Sequence, residues 1–220
     1  MFGIKKLLFR DQPAAQLAAD IRADLGLWRE AAAPSLDEVH FHTRYVVVDI
    51  ATGGRQGSND ELLAISAAVV RRGAIRPAES FYVDFSGELD ADTVDRQLLA
   101  FLQFVAKAPL VTYHVAYVEP FLQRVMRERL GVDFQSQWVD LAWLLPSMFD
   151  DKSHSPLPLD RWLEIFALDA GDGRRDPMEN TLLIARLLQM LLVRATGKEV
   201  DTAAKLVAES QAATFLRRTH

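Results

Sequence analysis

Hydrophobic and polar positions change their period along this chain. Over residues 14–30, Leu17, Ile21, Leu25 and Trp28 recur at spacings of three and four. That spacing predicts an amphipathic helix, opened by Pro13 and broken by Ala31-Ala32-Ala33-Pro34-Ser35. From residue 44 the pattern becomes that of strands. Residues 45–50 read as a buried strand and residues 62–70 as a second, and Arg72-Gly73 turns the chain through Ile75 into a third over 80–85. Helices and short strands then alternate. A helix is predicted over 92–107, a strand over 109–114, and a helix over 116–130 stopped by Gly131. A short strand begins at 138–140, with helices over 141–148, 159–166 and 178–196 and a last one over 200–220. Three meandering strands followed by alternating strands and helices specify an α/β fold with a mixed sheet flanked by helices.

Composition narrows the function classes. The chain has 220 residues, half of them hydrophobic and 25% charged, enough for one sizeable domain with terminal extensions. No apolar run reaches the ~18–20 residues that span a bilayer, so no membrane partner is expected. The opening Met1-Phe2-Gly3-Ile4-Lys5-Lys6 lacks the apolar core and cleavage site of an export signal, which makes a cytoplasmic address the expectation. Zero cysteines exclude disulfides and cysteine-held metal centres. A net charge of −5 weighs against strong nonspecific binding to phosphates, while leaving room for a local basic cleft.

Three segments carry candidate chemistry. Tyr45-Val46-Val47-Val48-Asp49-Ile50-Ala51-Thr52-Gly53-Gly54 delivers a carboxylate from a buried strand to a glycine turn, and Asn59-Asp60-Glu61-Leu62-Leu63-Ala64-Ile65-Ser66-Ala67-Ala68 follows it. Tyr113-His114-Val115-Ala116-Tyr117-Val118-Glu119-Pro120-Phe121-Leu122 runs from a strand into a helix. Gly173-Arg174-Arg175-Asp176-Pro177-Met178-Glu179-Asn180-Thr181-Leu182 opens the long helix. In order and spacing these segments resemble the three motifs of the DEDDh 3′–5′ exonucleases, the family of the proofreading subunit of bacterial replicative DNA polymerase and of RNase T. The resemblance covers roughly residues 44–195 and implies an RNase H-like mixed five-stranded sheet flanked by helices. It divides the chain into a helical extension at 1–43, an exonuclease-like domain at 44–197 and a C-terminal helix at 198–220.

The activity implied by the resemblance is metal-dependent hydrolysis. Two hard divalent ions about 3.5–4 Å apart activate water and stabilise the leaving oxygen. The family holds them with an Asp and a Glu two positions apart on the first strand and an Asp from each of two later helices, and uses a His as general base. Here the first carboxylate, Asp49, is present, but the remaining positions are Ala51, Val118, Arg175 and Asn180. Alanine and valine offer no ligand atoms, and arginine stays protonated and cannot activate water. Asn180 would offer a neutral oxygen, and Glu119 and Glu179 sit one residue away, turned by about 100° on a helix.

The expectation is therefore a catalytically degenerate domain without a cofactor, in which Asp49 is a vestigial ligand and the only one left for a metal. Thr52, His114 and Arg175 are its candidate binding residues, with Arg175 expected to swing onto Asp49 as an ion pair. The partners expected are single-stranded nucleic acid or a nucleotide, another protein through the terminal helices, or a second copy as a homodimer. The alternative is an active exonuclease using Mg or Mn with displaced ligands from Glu119, Glu179 or Asp176; a third reading has a partner chain complete the site. Asp176-Pro177 also reads as a helix cap and first turn, Asp140 as the cap of the next helix, and Glu119-Pro120 as an exposed first turn. The glycines from Gly53 to Gly57 lack the ending of a phosphate loop, and His40 with His42 lacks a third ligand. Arg55, Arg174 and the pair Arg217-Arg218 are candidate phosphate contacts.

Overall fold

A computed structural model describes residues 17–53, 61–168 and 175–218. Its elements run α1 (Ala19–Glu30), β1 (Arg44–Gly53), β2 (Glu61–Arg71), β3 (Ala74–Asp84), α2 (Ala91–Val105), β4 (Leu110–Thr112) and α3 (Val115–Leu130). They continue with β5 (Trp138–Asp140), α4 (Leu141–Met148), α5 (Leu159–Ile165), α6 (Pro177–Gly197) and α7 (Ala203–Arg218). The predicted order of elements holds, with boundaries moved by a few residues.

The five strands form one sheet in the order β3-β2-β1-β4-β5. The β1–β2 and β2–β3 pairs are antiparallel, and β4 and β5 join parallel to β1. Each sheet face is covered, as parallel strands require. Along β1 the side chains alternate: Val46, Val48 and Ile50 enter the core packed by α1, α2 and α3, while Tyr45 and Val47 enter the one packed by α4, α6 and α7. Asp49 and Ala51 continue the second series, towards α6.

The terminal helices bury their apolar faces within the chain. Ile21 and Leu25 of α1 are buried, and the Trp28 indole donates to the Leu102 carbonyl at 3.0 Å. In α7, Ala203, Leu206 and Val207 are buried, and Ser210 Oγ accepts the Asp140 N–H at 2.8 Å. No helix among the described residues is long and apolar enough to cross a membrane.

His40 joins the segment before β1 to the approach to α7. Its Nε2 lies 2.8 Å from the Val200 carbonyl and must donate to it, so Nδ1 accepts from the Tyr45 hydroxyl at 2.7 Å. Burial holds His40 below the ordinary histidine value, with the Val200 carbonyl and Asp201 offsetting part of the effect. The unfolded chain therefore takes up the proton first. The stability this neutral ring contributes is present above the unfolded value of about 6.5 and is lost as pH falls through the lower folded value. Denaturation midpoints should fall as pH is lowered from 7 to 5. A His40→Gln variant should lack that part of the slope, and identical profiles would remove His40 as its source.

Candidate functional site

The start of α6 builds the floor of the site. Asp176 caps the helix, its Oδ1 accepting the Glu179 N–H at 2.8 Å, and Pro177 takes the first helical position, where its missing N–H costs nothing. Ser66 stands opposite Asp49 in the β1–β2 register. Its hydroxyl donates to the Pro177 carbonyl at 2.9 Å and lies 2.7 Å from Thr181 Oγ1. These bonds fix the first turn of α6 against β2, and one result is that the Asn180 amide donates to Asp49 Oδ2 at 2.6 Å.

Asp49 is thus held by a neutral donor. Burial pushes its carboxyl above the usual range, while the Asn180 amide, Arg175 and His114 pull the other way without overcoming it. His114 stands at the N-cap position of α3 without making a side-chain capping bond. Burial holds its imidazole below the usual value, and the Asp49 charge offsets part of that. At the end of β1 the register shifts between Ala51 and Thr52, a bulge that re-aims the strand end. Thr52 Oγ1 lies 2.6 Å from the Tyr117 hydroxyl, and Tyr117 remains 45% exposed.

Arg175 corrects one expectation. Its guanidinium pairs with Asp160 in the first turn of α5, not with Asp49. Two physical reasons fit: the Asn180 amide already holds Asp49 Oδ2, and Asp160 keeps 66% of its side chain exposed, so the pair forms without burying both charges. Arg175 still acts on Asp49 through its field.

The remaining motif positions disperse. Ala51 lies on β1 two residues beyond Asp49. Val118 is 3% exposed and packs in the core with Val48 and Ile50. Because α3 begins at Val115, Glu119 and Pro120 sit beyond its first turn, and Glu119 is half-buried with Oε1 accepting from Gln123 at 3.3 Å. Glu179 is exposed, and Asp176 is engaged as a cap. Asp140 also caps, accepting from Ala142 at 3.0 Å and from Val115 at 3.1 Å. Arg55 and Arg174, the glycines from Gly54 to Gly57, and the side chains of Arg217 and Arg218 lie outside the described residues.

Among the described residues no three His, Cys, Asp or Glu side chains gather where they could hold a metal ion. The donor set around Asp49 is an amide, an imidazole and a guanidinium, so beside Asp49 itself only neutral lone pairs, on the Asn180 carbonyl oxygen and the imidazole, are offered to a metal. The pair of divalent ions implied by the motif order does not fit it. Sequence reasoning weighed Asn180 as a weak oxygen ligand, whereas the structure uses the NH2 side of the same amide. It also missed Tyr117 and Asp160, which reach the site from separate elements without a distinctive spacing.

Neither a protein-family model nor a curated protein matches the sequence. Among solved structures, cell-death related nuclease 4 is similar, with a TM-score of 0.57 and 14% sequence identity over 70% of this chain and 64% of that one. This chain therefore covers less than two thirds of that neighbour. At this identity the likeness shows the fold, a nuclease-like α/β domain consistent with the RNase H-like arrangement.

Proposed function

We propose that this is a domain of DEDDh exonuclease descent that holds the 3′ end of a single-stranded nucleic acid without cutting it. The observation that carries the reading is the Asn180 amide bonded to Asp49 Oδ2 at 2.6 Å, a protein donor on the carboxylate from which a metal would be held. Arg175 and His114 supply positive or donor character beside it, and Thr52 with Tyr117 places hydroxyls and an exposed ring at its rim. A ring of this kind suits base stacking, and the Arg175 guanidinium with the neutral His114 imidazole as a donor suits a terminal phosphodiester. The displaced-ligand reading needs Glu119, Glu179 or Asp176 at Asp49, whereas Glu119 accepts from Gln123, Glu179 is exposed and Asp176 caps α6. A cytoplasmic setting suits a chain without cysteines.

The test is fluorescence anisotropy of a 5′-labelled short single strand in EDTA. Binding is expected with a Kd on the order of 10 μM, shallow salt dependence because few phosphates are engaged, and about tenfold weakening in Arg175→Glu. Binding unchanged in that variant, or absent at roughly ten times that concentration, would remove the cleft as the binding site.

A further inference from the structure

At the end of the sheet opposite the Asp49 cleft, arginines gather on neighbouring strands. Arg44 opens β1 and stands directly opposite Arg71, the last residue of β2. Arg76 of β3 faces Val69 and so lies diagonally from Arg71, and Arg72 sits in the turn between the two strands. Directly opposed side chains stand about 5 Å apart and diagonal ones about 7–8 Å, and like charges placed opposite one another destabilise a sheet. Arg72 and Gly73 take positive φ, 54° and 69°, in a two-residue hairpin turn that favours Asn, Asp or Gly at its first position. Arg72 therefore carries a long cation at a position whose backbone does not select it. Arg71, Arg72 and Arg76 are exposed. Among the described residues none of these arginines, nor Lys107 just beyond α2, joins an ion pair. Arg44 donates to the Phe104 and Val105 carbonyls at 2.9 and 3.3 Å, and Lys107 to the Arg29 and Ala31 carbonyls. Carbonyls accept hydrogen bonds without cancelling charge. Burial pulls the Arg44 guanidinium below its usual range; Glu79 offsets part of that, and Arg71 adds to it.

We propose that this end of the sheet is a second nucleic-acid site, at which Arg71, Arg72 and Arg76 hold the phosphodiester backbone of the strand whose 3′ end enters the Asp49 cleft. The proposal rests on the cleft reading for the position of that end. Guanidiniums meet phosphate oxygens through paired N–H donors and stay charged, and backbone contacts of this kind position a strand without reading its sequence. The spacing across the strands lets each side chain take a different phosphate. Arg44 and Lys107, engaged with carbonyls, contribute field rather than contacts. Arg44 and Asp49 are about 16 Å apart along β1 at ~3.3 Å per residue. A strand rising ~3.4 Å per nucleotide needs roughly 5 nucleotides to cover that distance. Holding one strand at both places raises the effective concentration of each contact.

Fluorescence anisotropy in EDTA with 5′-labelled oligothymidylates of about 4 and about 15 nucleotides tests this on the full chain, because the first falls short of that length and the second exceeds it. The longer strand is expected to bind the wild type about tenfold more tightly. Arg72→Glu combined with Arg76→Glu should remove most of that gain, reduce the slope of log K against log salt by about 1–2, and leave the shorter strand unchanged. Both side chains are exposed, and thermal melts check that the fold is kept. A longer strand that binds no more tightly than the shorter, or whose gain survives the double reversal, would overturn the proposal. So would poly-glutamate of equal charge that binds the wild type as tightly as the longer strand and is lost in the same variant, since that would assign this end to an acidic protein segment. A shorter strand that fails to bind, beside a longer one that binds and is lost in the variant, would remove the cleft reading and sustain the basic end.

Discussion

Replacing Asn180 with Asp is expected to destabilise the protein by about 2–4 kcal/mol at pH 7, lowering Tm by roughly 5–15 °C. The substitution changes almost no volume, so the effect is electrostatic. It removes a donor 2.6 Å from Asp49 Oδ2 and puts a second carboxylate there, beside a group whose burial already disfavours its charge. Two carboxylates at that separation share a proton, and the upper of their two values is raised above that of the unfolded chain. A raised folded value contributes stability that is present at acid pH and lost as pH rises through it. The deficit of Asn180→Asp should therefore shrink towards pH 5. Mg²⁺ or Mn²⁺ should also stabilise the variant at pH 7 and leave the wild type unchanged, since the variant alone offers a pair of charged oxygens. Urea denaturation at several pH values, with and without Mn²⁺, measures both effects. A pH-independent loss below about 0.5 kcal/mol would show that the amide contact contributes little.

Arg129→Ala is expected to cost more, about 3–5 kcal/mol, because it strands a buried charge. Arg129 on α3 and Asp95 on α2 are 2% and 6% exposed, with Arg129 Nη2 2.7 Å from Asp95 Oδ1. Arg129 Nε also donates to Asp95, and Nη2 donates to the Ala91 carbonyl at 2.8 Å, so one side chain ties α3 to the opening turn of α2. Burial pushes Asp95 up even with Arg129 beside it, which shows how costly its charge would be alone. Combining Arg129→Met with Asp95→Leu should recover most of the loss, since apolar side chains can replace a buried pair. A double variant as unstable as Arg129→Ala would assign the loss to packing and the Ala91 bond instead.

The fold was legible wherever periodicity and local caps point the same way. Val46, Val48 and Ile50 alternate with Tyr45 and Val47, so β1 is readable as a strand buried on both faces, and Asp176-Pro177 marks the start of α6. Gly131, with φ of 61°, ends α3 where the sequence placed the stop. Pro120 misled, because it sits inside α3 and not in its first turn.

The site was only half legible. Motif alignment located Asp49, His114, Arg175 and Asn180 near one another, but spacing cannot say which atom of an amide faces a carboxylate. Nor can it say that Arg175 finds Asp160, since that pair depends on how α5 docks beyond the segment 169–174. Val118 illustrates a different limit. A valine where the motif resemblance implies a carboxylate reads as a gap in the site, yet the side chain is packed in the core.

The most direct test of the central claim is degradation of a 3′-labelled single strand with Mg²⁺ or Mn²⁺, comparing the wild type with Asp49→Ala from the same preparation. An intact strand is expected, or equal traces from both proteins that mark a contaminant. Cleavage by the wild type that disappears in Asp49→Ala would contradict it, because Asp49 would then hold a working metal that the donor set described above does not accommodate.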